Sequence, residues 1–594
     1  MPTFAPRRLP LVLAAAALAA CGPHASTQGH LHPPISPDTA PPPDAHPWAL
    51  VDAPRLPQTL VLMGTTDTHG WLLPYDYYTG RATDNGLARL VPQIDSIRAA
   101  HPGQTALFDS GDLLQGTPLG FVYSHLSAGE THPVAAAMNL LGYDAAAIGN
   151  HEFNYGIEHL NTVAGQSKFP WLSANIFRAG TSERAYRPYA IVERTIDGHA
   201  VHIGVIGVTP PGVAIWDKDR VAGRLDFHDI VASVRPLVPE LRARGADIVV
   251  IAAHSGLEGS SYDTAATHVP EENAAARLAR EVPGIDVIFL GHTHRELADS
   301  TIGGTLLLQA KNWGTSLAVA EIDLAWENDR WRVAGKRGRV LHPAKTADSP
   351  LLESALADAH RRTREYVGRR IGTSTAEWDA HAARVEDTPL LDLINDVQRR
   401  VTGADLSAAA AFNLTARFPR GPVTVADVAG LYVFDNTLKA VRIDGAQLRA
   451  FIEKSAEYYL PCPAAHCAQI VNPAVPGYNF DVVSGVDYEL DLTRPVGQRV
   501  AQLVRNGRPV RPTDTFTLAV NNYRASGSGG YSMLLGAPVV YDRGESIRDL
   551  LIAEIQRRGT ISPADVFRRN WRIVPASLAA QALAEQAVTP PSAR

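Results

Sequence analysis

Short apolar runs alternate with longer amphipathic stretches between residues 58 and about 340. Stretches such as NGLARLVPQIDSIRAAH have the spacing of amphipathic helices. The apolar runs are typical of strands, and because they are apolar throughout we expect burial on both faces. They are TLVLMG, TALF, DAAAI, VHIGVIGV, DIVVIAA, DVIFL and TLLLQ. This pattern predicts an α/β domain over residues 58–345.

A second domain is expected because 594 residues exceed what one hydrophobic core usually holds. Residues 346–371 contain a stretch with helical spacing and charges on one side, which indicates a linker helix. Residues 372–575 mix strand and helix patterns and predict a smaller α+β domain. Residues 576–594 are interpreted as a frayed helix and tail.

The N-terminus has the pattern of an export signal. Arg7 and Arg8 precede an apolar stretch too short to span a bilayer, so residues 1–21 are interpreted as a signal peptide. The ending LAAC resembles a bacterial lipobox, which implies lipidation of Cys21, although an ordinary signal peptide is the alternative. Gly22 favours, by the same resemblance, the outer membrane of a Gram-negative cell. We therefore expect a periplasmic, lipid-anchored protein, with residues 22–57, rich in proline, as a disordered tether.

The net charge limits which binding partners are expected, and the cysteine pair suggests a disulfide. A net charge of -6 argues against binding of a nucleic acid duplex, but it leaves open a small anionic substrate. A monomer is favoured. Cys462 and Cys467 form a close pair, which in an exported protein favours a disulfide. A metal site that also uses His466 is the alternative.

Polar side chains follow five of the predicted strands at the point where each strand ends. Because the carboxyl ends of strands in an α/β sheet meet at one edge, these side chains are expected to converge. Carboxylate, imidazole and amide ligands suit Mn, Fe, Co or Zn ions, and Asp112 is our choice to bridge two of them. The residues are Asp67 and His69, Asp109 and Asp112, Asn150 and His151, His254, and His292 and His294.

The motifs TTDTHG, SGDLLQG, GNHE, AAHSG and GHTH resemble, in order, those of the calcineurin-like dimetal phosphoesterases. The two-domain layout is similar to the 5′-nucleotidase family over residues 58 to about 560. The resemblance implies an N-terminal four-layer β-sandwich flanked by helices, which binds two divalent metal ions. One ion would be bound by Asp67, His69, Asp112 and His294, and the other by Asp112, Asn150, His254 and His292.

The resemblance also implies that His151 is the catalytic histidine. Asn154 stands where many 5′-nucleotidases carry an aspartate that pairs with this histidine, and Glu152 receives no role. The motifs DTHGWLLPYDYYTG, GNHEFNYG and GYNFDVVSGVDYELD are similar to the 2′,3′-cyclic-nucleotide 2′-phosphodiesterase/3′-nucleotidases. This family hydrolyses cyclic nucleotides to 3′-nucleotides and then to nucleosides. The alternatives are a 5′-nucleotidase with UDP-sugar hydrolase activity and a non-catalytic surface lipoprotein.

The second domain is expected to recognise the nucleoside, because aromatic faces stack on any base. By family position the stacking candidates are Phe434 and Tyr523, with Tyr432 as an alternative to Phe434. Asn436 and Arg417 are candidates for polar contacts.

Overall fold

The computed structural model describes residues 58–345, 347–463 and 466–588. The predicted signal peptide, Cys21, the predicted tether and the last six residues lie outside this part of the chain. Within the described ranges, no helix has both the length and the apolar character needed to cross a membrane.

The first sheet of the N-terminal domain has six strands and is built around Gln58–Thr65. This strand pairs in parallel with Thr105–Asp109 and antiparallel with Leu317–Glu327. Its last six residues are buried, as expected for a strand covered on both faces. The order across the sheet is Arg330–Leu341, Leu317–Glu327, Gln58–Thr65, Thr105–Asp109, Ala145–Ala147 and Trp171–Leu172.

A second six-stranded sheet faces the first. Its strand Ile248–Ala253 is wholly buried and pairs in parallel with strands on both sides. Leu62 and Phe108 of the first sheet and Val250 and Phe289 of the second belong to one buried cluster, so the two sheets form a sandwich. The order across the second sheet is Leu297–Ile302, Thr305–Gln309, Val287–Leu290, Ile248–Ala253, His199–Val208 and Tyr189–Ile196.

Helices cover both outer faces of the sandwich. Ile94 and Met138 pack on the outer face of the first sheet, and Val234 and Leu278 pack on that of the second. The first group of helices is Val91–Ala100, Pro133–Leu141 and Ile157–Gln166, and the second is Ile230–Val234, Leu237–Ala243 and Ala275–Glu281. The result is the four-layer α/β arrangement that the resemblance implied.

Two helices, Pro350–Ala355 and Ala357–Val367, lead to the C-terminal domain. That domain contains a five-stranded sheet with helices on both faces. The sheet order is Asp481–Ser484, Leu406–Ala410, Thr515–Asn521, Thr437–Asp444 and Val539–Ser546. The main helices are Pro389–Thr402, Val425–Leu431, Gly445–Ala456 and Ile547–Arg558. A smaller, four-stranded sheet has the strand order Arg508–Pro509, Val500–Arg505, Asp487–Asp491 and Trp571–Val574.

The helix expected at the start of residues 576–594 is present, but it is packed on the C-terminal domain rather than frayed. Ala576–Val588 is a helix, and its Leu578 and Ala582 are fully buried in the core of the C-terminal domain. Glu585 accepts hydrogen bonds from the backbone amide of Ile470. Six of its thirteen residues are alanine, which does not mark a buried face in sequence, although its small side chain permits close packing.

Candidate metal centre

The loops that follow five strands of the sandwich bring their polar side chains to one place. Three of these loops come from the first sheet and two from the second. Histidine and carboxylate atoms lie within 4.8 Å of one another in three groups. The groups are Asp67, His69 and His294; His69, Asp112 and His151; and Asp112, His254 and His292.

The first group has two imidazoles in a T-shaped arrangement, with ring centroids 5.0 Å apart. Nε2 of His69 lies 3.0 Å from Nε2 of His294, and Oδ1 of Asp67 lies 3.4 Å from the same nitrogen of His294. Nδ1 of His69 lies 2.8 Å from the carbonyl oxygen of Gln115, which can only accept. Nδ1 of His69 therefore carries the proton, and its Nε2 electron pair points into the group.

The third group, which contains Asp112 and His254, is arranged in a similar way. Nδ1 of His254 donates to the carbonyl oxygen of Ser110 at 2.7 Å, which leaves Nε2 facing inward. That Nε2 lies 3.0 Å from Oδ2 of Asp112 and 3.1 Å from Oδ1 of Asn150. Oδ2 of Asp112 is also 3.9 Å from Nε2 of His69. Asp112 thus stands between the two histidine groups.

These donors fit divalent metal ions. In the first and third groups, imidazole nitrogens lie 3.0 to 3.4 Å from carboxylate, amide or second imidazole atoms, and a cation in their midst would take the place of shared protons. Carboxylate, imidazole and amide oxygen without thiolate suit the divalent ions from Mn to Zn. The cluster therefore supports a dimetal site.

Burial controls the protonation of these ligands. It lowers the pKa of His69 to about 3, so this imidazole is neutral. Burial opposes the ionisation of Asp67, but hydrogen bonding to His294 lowers its pKa to about 2. Burial also opposes ionisation of Asp112, yet the charge of His254 holds its pKa well below the usual range. Ionised carboxylates and neutral imidazole are the forms that bind metals.

The backbone around the site is conformationally unusual. Five of the seven predicted ligands have a positive φ, between 49° and 70°, which costs about 1–3 kcal/mol in a strained position. They are Asp67, His69, Asp112, His292 and His294. Gly149 lets the side chain of Asp112 come close to the backbone, since a Cβ at position 149 would lie 2.3 Å from Oδ1 of Asp112. The surrounding fold therefore holds these loops in place.

His151 lies beside the metal ligands and is oriented by Asn154. Its Nε2 is 3.9 Å from Oδ2 of Asp112, and its Nδ1 is 2.6 Å from Oδ1 of Asn154. Nδ2 of Asn154 donates in turn to Oδ1 of Asp217 at 2.9 Å. Asp217 was not a candidate from the sequence, because it lies 63 residues from Asn154 in the chain.

Glu152, which the sequence left without a role, organises two ligand loops. Its carboxylate is fully buried and accepts hydrogen bonds from four backbone amides, at 2.6 to 3.2 Å. The donors are Gly149, Asp112, Leu113 and Leu114. Asp109 has a related role, since it accepts from Thr65 Oγ1 at 2.6 Å and from the Gly111 amide at 2.7 Å. Both carboxylates therefore shape the loops.

Glu272 is a second residue that sequence reasoning missed. Its Oε1 lies 2.6 Å from Nε2 of His292, and its Oε2 accepts from the backbone and hydroxyl of Ser261. In the neutral ring this places the proton of His292 on Nε2 and the electron pair on Nδ1. Carboxylates in this position orient metal-binding histidines. Nothing in the stretch PEENAAAR signals the role in sequence.

The C-terminal domain touches the loops around the metal centre through a residue next to the predicted nucleoside-binding residue Phe434. Asp435, the neighbour of Phe434, accepts from Nε2 of Gln115 at 3.1 Å and from the hydroxyl of Tyr155 at 2.9 Å. Tyr523 is half-buried and packs against the N-terminal hydrophobic core. Both aromatic candidates thus lie where the two domains meet.

The remaining candidates differ in exposure. Phe434 is half-buried, with its ring centroid 4.9 Å from that of Phe412, whereas Tyr432 is 1% exposed and belongs to the core. The carbonyl of Asn436 accepts from the amide of Ile547. Arg417 is exposed and pairs with Glu377 at 3.6 Å. Burial therefore favours Phe434 over Tyr432 as a stacking surface.

Cys462 and Cys467 are joined by a disulfide, with their Cα atoms 5.9 Å apart. Cys462 is fully buried in the C-terminal core. The pair lies away from the histidine and carboxylate groups described above.

Family models and relatives agree with this architecture. Residues 60–296 match the calcineurin-like phosphoesterase model, and residues 370–536 match the model of the 5′-nucleotidase C-terminal domain. The chain is 33% identical to a 2′,3′-cyclic-nucleotide 2′-phosphodiesterase/3′-nucleotidase of Yersinia enterocolitica, over 86% of this chain and 88% of the relative. It is 32% identical to the trifunctional nucleotide phosphoesterase YfkN of Bacillus subtilis, over 87% of this chain, but it spans only 39% of that protein.

A 5′-nucleotidase precursor from Thermus thermophilus has a solved structure with the same fold. Its TM-score is 0.63 at 24% identity, covering 87% of this chain and all of the other. Fold, site and relatives thus define a two-domain metallophosphoesterase. The chain belongs to the 2′,3′-cyclic-nucleotide 2′-phosphodiesterase/3′-nucleotidase family, within the 5′-nucleotidases.

Proposed function

We propose that this protein hydrolyses 2′,3′-cyclic nucleotides to 3′-nucleotides, and 3′-nucleotides to nucleosides and phosphate. The observation that carries the proposal is the position of Asp112 between two histidine groups, with His151 at their edge. In the first reaction, water adds across the bond between phosphorus and the 2′ oxygen. The water oxygen joins phosphorus, and a proton ends on the 2′ oxygen. In the second, the bond to the 3′ oxygen breaks in the same way.

The chain's own residues would divide this work. Two divalent ions, Mn, Zn, Co or Fe, would neutralise the phosphoryl oxygens and activate the attacking water. Asp112 would hold both ions, and Asn150 would complete one ligand set. His151, with its Nδ1 bound to Asn154, would offer Nε2 to the phosphoryl group or the leaving oxygen. Phe434 and Tyr523 would stack on the base.

Product analysis tests this function. Metal-loaded protein without residues 1–21 is assayed in parallel on 2′,3′-cyclic AMP, 3′-AMP, 5′-AMP and UDP-glucose, with Asn150→Ala as the inactive control. We expect turnover of the first two substrates and its loss in the variant. Dominant turnover of 5′-AMP or UDP-glucose would replace the proposal with a 5′-nucleotidase and UDP-sugar hydrolase. Absence of turnover on all four would favour a non-catalytic lipoprotein.

We further propose that the protein is exported and anchored in the periplasm through lipidated Cys21, acting on small nucleotides as a monomer. The support is the signal-like N-terminus with its LAAC ending. Detergent phase separation of cells that express the full chain tests the anchor. The native chain is expected in the detergent phase and Cys21→Ala in the aqueous phase, and equal partitioning would reject the anchor.

A further inference from the structure

A chain of two hydrogen bonds leads from His151 to a carboxylate. Nδ1 of His151 is 2.6 Å from Oδ1 of Asn154, and Nδ2 of Asn154 is 2.9 Å from Oδ1 of Asp217. Asp217 is only 7% exposed. Many 5′-nucleotidases are expected to carry an aspartate that bonds directly to this histidine. In this chain the carboxylate of Asp217 reaches His151 through the amide of Asn154 instead.

The chemistry of these groups sets the direction of the chain. An ionised carboxylate can only accept, so Asp217 requires the NH₂ side of the Asn154 amide to face it. The amide oxygen then faces His151 and accepts from Nδ1–H. With the proton on Nδ1, the Nε2 position faces Asp112 and the metal ligands. Without Asp217, the amide of Asn154 could rotate and present NH₂ to the histidine instead.

The backbone holds Asp217 firmly in this place. The residue lies between the short helices Val213–Trp216 and Lys218–Val221. Its amide donates to the carbonyl of Val213, and its carbonyl accepts from the amide of Val221. The preceding Trp216 packs its ring 5.5 Å from that of His292. The segment that carries Asp217 is therefore packed against the metal centre itself.

We propose that Asp217 is a positioning residue for His151, acting through the amide of Asn154 to keep the proton of the ring on Nδ1. The inference rests on the proposed phosphoesterase function, in which His151 assists the reaction. Asp217 itself does not touch the substrate. Loss of its carboxylate should therefore reduce turnover while leaving substrate binding almost unchanged.

Three variants test this role with 3′-AMP as substrate: Asp217→Asn, His151→Ala and their combination. For Asp217→Asn we expect kcat to fall about 10–100-fold, the usual cost of losing such a supporting partner, with KM little changed. In the His151→Ala background the same substitution should change kcat by no more than about twofold, because the residue acts only through His151. Asp226→Asn is the matched control, since Asp226 also accepts a hydrogen bond from an N–H group, that of Gly180 at 2.7 Å.

A charge swap separates positioning from simple structural support. Asn154→Asp combined with Asp217→Asn restores one carboxylate and one amide, now in the opposite order. We expect this double variant to recover most of the kcat that Asp217→Asn loses, whereas Asn154→Asp alone places two carboxylates 2.9 Å apart and stays impaired. Urea unfolding of each variant identifies any that are destabilised.

The outcomes are distinct. If His151→Ala retains full activity, the proposed role of His151 is rejected, and the inference about Asp217 with it. If His151→Ala is inactive but Asp217→Asn retains native kcat, only the inference is overturned. An equal loss from Asp217→Asn with and without His151, or a swap that recovers nothing, also overturns it.

Discussion

Oε1 of Glu272 lies 2.6 Å from Nε2 of His292, a residue in the same group as Asp112 and His254. The buried carboxylate therefore decides which nitrogen of His292 is available to a metal ion. Glu272 comes from a loop about 20 residues before the histidine in the chain.

Glu272→Gln should weaken metal binding about 10–100-fold, because the neutral amide orients His292 less well and lowers its basicity. Competition with a chelator, followed by metal analysis, measures the affinity apart from activity. Saturating metal should restore most of the turnover. Glu271→Gln is the neighbouring control, because Glu271 pairs with Arg277 rather than with a histidine. Equal metal affinity in the native protein and Glu272→Gln would contradict the prediction.

Glu152→Gln should destabilise the protein by at least about 2 kcal/mol. The native carboxylate accepts four backbone amides, and a glutamine would turn its NH₂ group toward two of them. Urea unfolding measures the loss. Glu158→Gln, at an exposed position that pairs with Arg224, should stay within about 0.5 kcal/mol of the native protein. A similar small change for both variants would show that the loops do not depend on Glu152.

Phe434→Ala and Tyr523→Ala should each lower kcat/KM for 3′-AMP about 5- to 150-fold, the equivalent of losing about 1–3 kcal/mol of stacking on the base. Steady-state kinetics on 4-nitrophenyl phosphate is the internal control, since this substrate carries no nucleoside. Its hydrolysis should be nearly unaffected. An equal loss on both substrates would mean that these aromatic residues support the fold rather than bind the base.

The stability of the C-terminal domain should depend on the protonation of Asp392. Burial, together with the charge of the nearby Asp387, raises the pKa of Asp392 from an ordinary 3.8 to about 7. The folded state therefore holds the proton more tightly. The stability that this bound proton gives the folded state is fully present below about pH 3.8, and it is lost as the pH rises through about 7.

Asp392→Asn imitates the protonated form and should remove this dependence. Relative to the native protein, the variant should gain stability between about pH 5 and pH 8. Urea midpoints measured across this range check the expectation. If the native protein instead became more stable relative to Asp392→Asn as the pH rises, the raised pKa of Asp392 would be rejected.

Most of the fold could be predicted from local patterns. Strands such as Ile248–Ala253 are continuous apolar runs, because a sheet covered on both faces needs apolar side chains at every position. The burial of the final helix could not be predicted, because its buried face combines leucine with alanine and glutamine and so lacks a strong apolar pattern. Residues that lie in short motifs at strand ends, such as Asp112 and Asn150, could be named because parallel strands end at a common edge.

By itself the sequence determined seven of the twelve sandwich strands and the polar side chains that follow five of them, since both depend on residues adjacent in the chain. The tertiary structure alone decided how those side chains are held. Asp217 reaches Asn154 across 63 residues, and the amides of two loops converge on Glu152. Such contacts depend on the packing of distant segments, and a buried carboxylate is stable only where folding brings its hydrogen-bond donors to it.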